Sequence, residues 1–280
     1  MAKNIDQRTV SSFGEEWARF TQSERELAAA DRLAMFETYF RIFPWHRLSA
    51  DSIGADIGCG SGRWAALVAP RVGHLFVVDP SRKALAVAKA NLQEFANVTA
   101  IEAAADDLPL ADGSLDFAYC IGVLHHVPDT VGALRSICGK LKPAAPLLVY
   151  IYYALDNRGA AYRLLWQISN LGRAVVSRSP PPLQRTACSL VAYCVYWPLA
   201  RTAALLDAAG LLPQNWPLQY YRRRSVYVMR TDAYDRFCTP LEKRFSRVQI
   251  EEMLKGCGCE DIRFSPEMPF WCAVARKSLG

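Results

Sequence analysis

Three glycines two residues apart, Gly58, Gly60 and Gly62, follow the apolar run Ile53 to Ile57, and this grouping is where the sequence can do chemistry. Glycine lets a backbone turn sharply and approach a ligand with no Cβ in the way, so an apolar strand that ends in such a loop can cradle a nucleotide-like cofactor. The spacing is not that of a dinucleotide turn, Gly-x-Gly-x-x-Gly, whose third glycine would fall where Arg63 stands. A second apolar run, His74 to Asp79, ends in an acid about 20 residues past the loop, the separation at which a carboxylate accepts from ribose hydroxyls. Ser81 can cap the helix that follows, which leaves Asp79 for the ligand. Further on, Cys120 to Asp129 contains His125 and His126. An imidazole titrates near neutrality and suits a general base, although a histidine at a helix start more often serves the fold.

The elements that must position these groups alternate between short apolar runs and helical ones, the pattern of βαβ units and a parallel sheet. Strands are predicted at Ile53 to Ile57, Leu75 to Val78, Val98 to Ala103, Leu115 to Ile121 and Leu147 to Tyr152. Helices are predicted at Trp64 to Ala69, closed by Pro70, at Ser81 to Phe95, and at Thr130 to Leu141, closed by Pro143. Two helices precede the sheet. A last helix, Ser246 to Lys255, opens with a Ser246 and Gln249 capping box, and a hairpin of Asp261 to Phe264 and Phe270 to Ala275 closes the chain.

Asp-x-Gly-x-Gly-x-Gly, Asp56 to Gly62, placed after a strand, resembles motif I of the class I S-adenosylmethionine-dependent methyltransferases. Leu124-His-His-Val-Pro-Asp129 is similar to the segment after the fourth strand of many small-molecule members, and Asp106-Asp-Leu-Pro109 to their adenine-side segment. The resemblance implies an α/β fold with a doubly wound, mostly parallel, seven-stranded Rossmann-like sheet and an antiparallel edge strand. It implies S-adenosylmethionine as cofactor, held by Asp56, Gly58, Cys59, Gly60, Gly62, Asp79 and Pro80. The adenine would lie beside Ala105 and Asp106, and backbone near Ile121 would receive the ammonium group. The sequence departs from the pattern at Ala104, where related enzymes usually carry an Asp. Phe13-Gly-x-x-Trp17 is similar to segments that cover the cofactor in several such enzymes, so Phe13 and Trp17 are either lid residues or core aromatics. His126, and after it His125, are the candidate catalytic residues.

The chain departs from a minimal member between Ala154 and Phe245. Tyr162 to Val176 and Thr186 to Ala209 are apolar at helical spacing, separated by Ser179-Pro-Pro-Pro182, which reads as a rigid extended linker. No charged residue occurs from Thr186 to Ala200. Pro198 and the flanking Arg185 and Arg201 leave this run short of the ~20 apolar residues of a membrane span. A buried cap helix is expected, with an interfacial helix touching a lipid as the alternative. Basic and aromatic residues interleave from Tyr220 to Arg236, so Arg223, Arg224 and Arg230, with Tyr152 at the end of the fifth strand, are candidates for substrate binding; a solvated charged face is the competing reading. The expected organisation is a helical lid at 1–50, a cofactor-binding core at 51–153, a substrate-recognising helical cap at 154–245 and the rest of the core at 246–280.

The chain has 280 residues, 51% of them hydrophobic, a net charge of +6 and nine cysteines without metal-ligand or disulfide spacing. Cys238 with Cys257 and Cys259 is the one grouping a thiophilic metal could use, and buried thiols account for it as well, so no metal is expected. The polar first residues carry no apolar targeting segment, which predicts a cytoplasmic protein. Methyl transfer to oxygen or nitrogen of a small, anionic or sugar-linked metabolite is the expected function. A lipid or quinone-type substrate at the membrane surface is the alternative, and an RNA substrate a weaker one, with no nucleic-acid partner expected. The oligomeric state stays open.

Overall fold

In the computed structural model, which describes residues 4–23, 27–156, 159–213 and 216–279, the apolar runs become strands of one sheet. In chain order they are β1 (Ile53–Ile57), β2 (His74–Asp79), β3 (Val98–Glu102), β4 (Phe117–Ile121), β5 (Pro146–Tyr150), β6 (Cys259–Phe264) and β7 (Cys272–Lys277). Their order across the sheet is β3-β2-β1-β4-β5-β7-β6. The first five are parallel, and β7 runs antiparallel to both neighbours. The chain moves outward from β1 to β3 and then returns to the other side of β1, so the loops after β1 and β4 open at the point where strand order reverses.

Helices α1 (Gln7–Arg19) and α2 (Ala29–Phe40) precede the sheet, and α3 (Ala65–Val68), α4 (Arg82–Asn91) and α5 (Thr130–Lys140) connect its strands. Next come α6 (Ala160–Val176), α7 (Pro181–Val191), α8 (Trp197–Ala208), α9 (Val226–Cys238) and α10 (Arg247–Gly256). Ser81 caps α4, Asp129 caps α5, and Ser246 with Gln249 forms the complete capping box of α10.

The antiparallel hairpin closes one edge of the sheet as expected, with β7 inside it, Cys272 to Ala275 buried, and β6 at the edge with an alternating pattern. Two strand ends differ from the sequence reading in ways that move a named residue. β5 ends at Tyr150, which puts Tyr152 in the loop beyond it. β4 begins at Phe117, while Leu115 bridges to Leu141 outside the strand.

The chain divides into two compact units, Met1–Ser23 with Arg32–Arg158 and Leu241–Gly280, and Glu24–Asp31 with Gly159–Pro240. In the sheet unit Ile57, Leu115, Leu124, Leu134, Ile137 and Leu147 fill a fully buried core. The helical unit packs Ala192, Tyr196 and Ala200 against Met229 and Ala233 of α9.

Two expectations for the helical unit are corrected. Pro181 and Pro182 do not belong to an extended linker but open α7, where a missing N–H leaves no helical bond unmade. Pro198 does not interrupt the following run: a π-turn over Ala192–Tyr196 precedes it, in which Trp197 N–H donates five residues back to the Ala192 carbonyl. The wider turn accommodates the proline ring, which would clash with the carbonyl four residues back in a regular helix. The helix therefore runs unbroken for 28 residues, Pro181–Ala208, and is long and apolar enough to cross a membrane. Only 22% of its most apolar window is buried, so it is not the buried cap helix that its composition suggested.

Candidate active site

The loop after β1 is built by backbone fit. Gly58 has φ +76°, and a Cβ there would lie 2.2 Å from the Val123 side chain. Gly60 has φ +54°, and its Cβ would meet the Trp17 indole at 2.9 Å. Both values lie in the left-handed region that side chains rarely adopt. The Gly58 and Cys59 N–H groups donate to the Val78 carbonyl at 2.7 and 3.0 Å, tying the loop to β2. Gly62 N–H donates to the Cys59 carbonyl and closes the turn. Cys59 is buried, and burial holds its thiol protonated.

At the end of β2 the Asp79 carboxylate accepts from Gly60 N–H at 3.0 Å and from Ser81 N–H at 2.8 Å, with Pro80 turning the chain between. Burial raises its pKa to about 6, against the pull of those two donors. Asp56, at the end of β1, is buried with Oδ2 lacking a hydrogen-bond partner among the described residues, and burial pushes it up to about 8.

Helix α1 covers this loop. Trp17 stands over Gly60, with the Arg63 guanidinium 5.6 Å from its ring. Phe13 meets His126 edge-on at 4.9 Å. Gly14 brings the helix onto Ser81, where a Cβ would come within 2.6 Å of the hydroxyl oxygen. Both aromatics of the Phe13 to Trp17 segment thus face residues singled out for chemistry.

Asn4, which carries no sequence signal, completes this side. Its backbone N–H donates to Asp106 Oδ2 at 3.3 Å, and its amide exchanges hydrogen bonds with the Asp129 backbone at 2.7 and 2.6 Å. Asp106 Oδ1 is buried without a partner among the described residues, beside the buried Ala104 and Ala105. Ile121 ends β4 opposite Tyr150, and Gly122 at φ +79° turns the chain toward the histidines.

His125 and His126 lie in a short 3-10 turn, both buried, with ring centroids 4.0 Å apart. Tyr152 N–H donates to His125 Nδ1 at 3.3 Å, so in the neutral ring its proton sits on Nε2. Nε2 has no hydrogen-bond partner among the described residues. Burial, then the neighbouring His126 and Arg244, holds the His125 pKa well below its ordinary value. His126 is arranged in the opposite sense. Its Nδ1 lies 2.6 Å from the Leu241 carbonyl, which can only accept, so Nδ1 carries a proton, and in the neutral ring the lone pair is on Nε2. Tyr152 stacks on His125 at 3.7 Å, and the Arg244 guanidinium lies 5.2 Å from its ring. Leu241 and Asn4 are the residues that sequence reading missed, since each acts on a group more than a hundred positions away, Leu241 through its carbonyl and Asn4 through both its backbone N–H and its amide.

The candidate substrate arginines lie in the helical unit and have internal partners. Arg223 pairs with Asp207 at 3.0 Å, an aspartate shared with Arg222, and Arg224 pairs with Asp31 at 3.5 Å. Arg230 lies within α9. Among the described residues no group of three or more His, Cys, Asp or Glu is arranged to hold a metal ion. Cys259 instead lies 3.3 Å from Cys138, and Cys238 lies 3.2 Å from Cys188.

The residues present fit the expected cofactor. Two orphaned buried carboxylate oxygens, on Asp56 and Asp106, and the acceptor carboxylate of Asp79 flank a loop whose glycines let its backbone fold tightly against Val123 and Trp17. Comparison with known proteins agrees. Residues 55–149 match the family model described as a methyltransferase domain. A ubiquinone biosynthesis O-methyltransferase of Chromobacterium violaceum is 25% identical over 167 residues, which cover 58% of this chain and 68% of that protein. One from Ralstonia nicotianae is 32% identical over 39% of this chain and 45% of its own length, less than half of that relative. A demethylmenaquinone methyltransferase of Staphylococcus saprophyticus is 26% identical over 39% of this chain and 48% of its own. Among solved structures, an S-adenosylmethionine-dependent methyltransferase of Thermotoga maritima superposes with TM-score 0.50 at 15% identity, covering 96% of this chain and all of that one, a likeness of fold.

Proposed function

Residues 55–149 matching a methyltransferase domain, we propose that the chain is a class I S-adenosylmethionine-dependent methyltransferase that methylates a hydroxyl oxygen of a small aromatic acceptor of phenol or quinol type. The observation that carries this reading is the opposed arrangement of the two histidines. His126 presents an Nε2 lone pair, and His125 presents an Nε2 proton within the same turn. Phe13, Tyr150 and Tyr152 pack against the histidine rings, surroundings that suit a flat apolar acceptor. The relatives named as O-methyltransferases of ubiquinone biosynthesis support the same choice. An anionic acceptor loses support because Arg223 and Arg224 already neutralise carboxylates in their own unit.

S-adenosylmethionine, when bound, supplies a methyl group on a sulfonium, an electrophile that needs little further activation. The glycine loop, Asp56, Asp79, Asp106 and backbone near Ile121 would hold it, with Trp17 above Gly60 excluding water. His126 takes the proton of the acceptor hydroxyl at Nε2. The resulting imidazolium keeps its Nδ1–H on the Leu241 carbonyl, which fixes the ring and stabilises its charge. His125 stays neutral and donates from Nε2, orienting the acceptor oxygen.

Purified protein with methyl-labelled S-adenosylmethionine and a panel of catechols, hydroquinols, amines and acidic metabolites tests the proposal. Label on a phenolic oxygen is the expected result. Label confined to amines or to acidic metabolites overturns it.

A further inference from the structure

In the helical unit the long helix of α7 and α8 turns mostly small side chains, with Tyr196, toward α9 and its large apolar ones outward. Along the unbroken helix of α7 and α8, Cys188, Ala192, Ala200 and Ala203 are buried. Leu183, Leu190 and Trp197, seven residues apart, face outward with Tyr193 and Leu205. On α6, Leu164, Ile168, Leu171 and Val175 recur at helical spacing and are likewise exposed, Leu171 at 71% and Val175 at 69%. Apolar surface of this extent on one unit marks an interaction face.

Charge identifies what the face meets. Residues 159–240 hold ten arginines, no lysine and three aspartates, whereas the other 198 residues hold 23 basic and 24 acidic side chains. No Asp or Glu occurs from 159 to 206, the stretch that includes α6, α7 and most of α8. Arg163, Arg178 and Arg185 are exposed on it. Arginine rims around an apolar face complement anionic lipid headgroups, whereas a second copy of the chain would bring like charges together.

The same unit excludes a span. The inner face of the long helix packs on Met229 and Ala233 of α9, a helix that also carries Arg230, Asp232, Asp235 and Arg236. A helix held against such a partner on one side and apolar on the other lies flat at an interface.

We propose that the outer face of α6, α7 and α8 docks on an anionic lipid bilayer, with its leucines and Trp197 at the boundary between headgroups and acyl chains and Arg163 and Arg178, beside the α6 stripe, on lipid phosphates. Docking rests on the helical unit alone, so it can fail while methyl transfer stands, and the reverse.

Vesicle flotation of the full chain tests it. The protein is expected to float with phosphatidylcholine vesicles containing phosphatidylglycerol in low salt, and to stay behind with phosphatidylcholine alone or in high salt. Leu171→Glu combined with Leu190→Glu should lower the bound fraction at least tenfold, and Arg163→Gln with Arg178→Gln severalfold. Calorimetric affinity for S-adenosylhomocysteine should be unchanged in both variants, which reports that they are folded. Absence of flotation with anionic vesicles overturns the proposal, as does flotation that survives the glutamates. A dimer in sedimentation velocity that the glutamates dissolve, without flotation, also overturns it and assigns the face to a second copy.

Discussion

In the sheet unit Leu115, Leu134 and Leu147 are fully buried, and the buried polar residues Asp56, Asp79, His125 and His126 gather at or just beyond the ends of the strands. In the helical unit the buried stripe of the long helix is mostly small, Cys188, Ala192, Ala200 and Ala203 with Tyr196, while Leu171, Leu190 and Leu205 face outward. The same residue type therefore serves two purposes: in one unit leucine holds the fold together, and in the other it is presented to a partner. The difference teaches that hydrophobicity alone does not distinguish a core helix from a docking helix. What distinguishes them is the size of the residues on the inner stripe and the sign of the charges around the outer one.

Experiments that could break this contrast differ in expected size. Gly60→Val places a side chain at φ +54° against Trp17, and is expected to lower S-adenosylmethionine affinity by about a hundredfold or more in calorimetry. Leu190→Glu in the helical unit should leave that affinity unchanged.

Next in size, His126→Asn should lower the rate of methyl transfer by roughly 10²–10⁴-fold while cofactor affinity holds, in single-turnover assays. A loss of cofactor binding of the same size would make His126 a structural residue instead.

The contrast itself is tested by a matched pair. Leu147→Ala should lose about 2–5 kcal/mol of unfolding free energy in denaturant titration, because it opens a cavity in a packed core. Leu171→Ala should stay within about 0.5 kcal/mol of the parent chain, since its side chain touches mostly solvent. Equal losses would show that the outer face is packed after all.

The smallest effect concerns Asp56. Folded, it stays protonated to about 8, whereas in the unfolded chain it ionises near 3.8, so its contribution to stability falls as pH rises between those values. Asp56→Asn should flatten that dependence of Tm on pH.

Much of the sheet unit was legible because its signals are local. Alternating apolar runs, helix caps at Ser81, Asp129 and Ser246, and positive-φ glycines are all written within a few residues of where they act. The π-turn before Pro198 was not legible, since composition says only that a proline stands in an apolar run, and whether the helix breaks or widens depends on its neighbours. Nor was the true edge of the sheet: β6 and β7 both read as strands, and which of them pairs with β5 is a matter of distant register.

By itself the sequence determined the cofactor loop, the acid at the end of β2 and the kind of sheet that carries them, because close backbone approach and strand periodicity depend on residue type and spacing. Only the tertiary structure decided which histidine can take a proton. That choice is made by two backbone groups, the Tyr152 N–H and the Leu241 carbonyl, and backbone groups are the same whatever the residue. It also decided that the apolar helices face outward, since a stripe of leucines is equally suited to a core and to a bilayer until its partners are known.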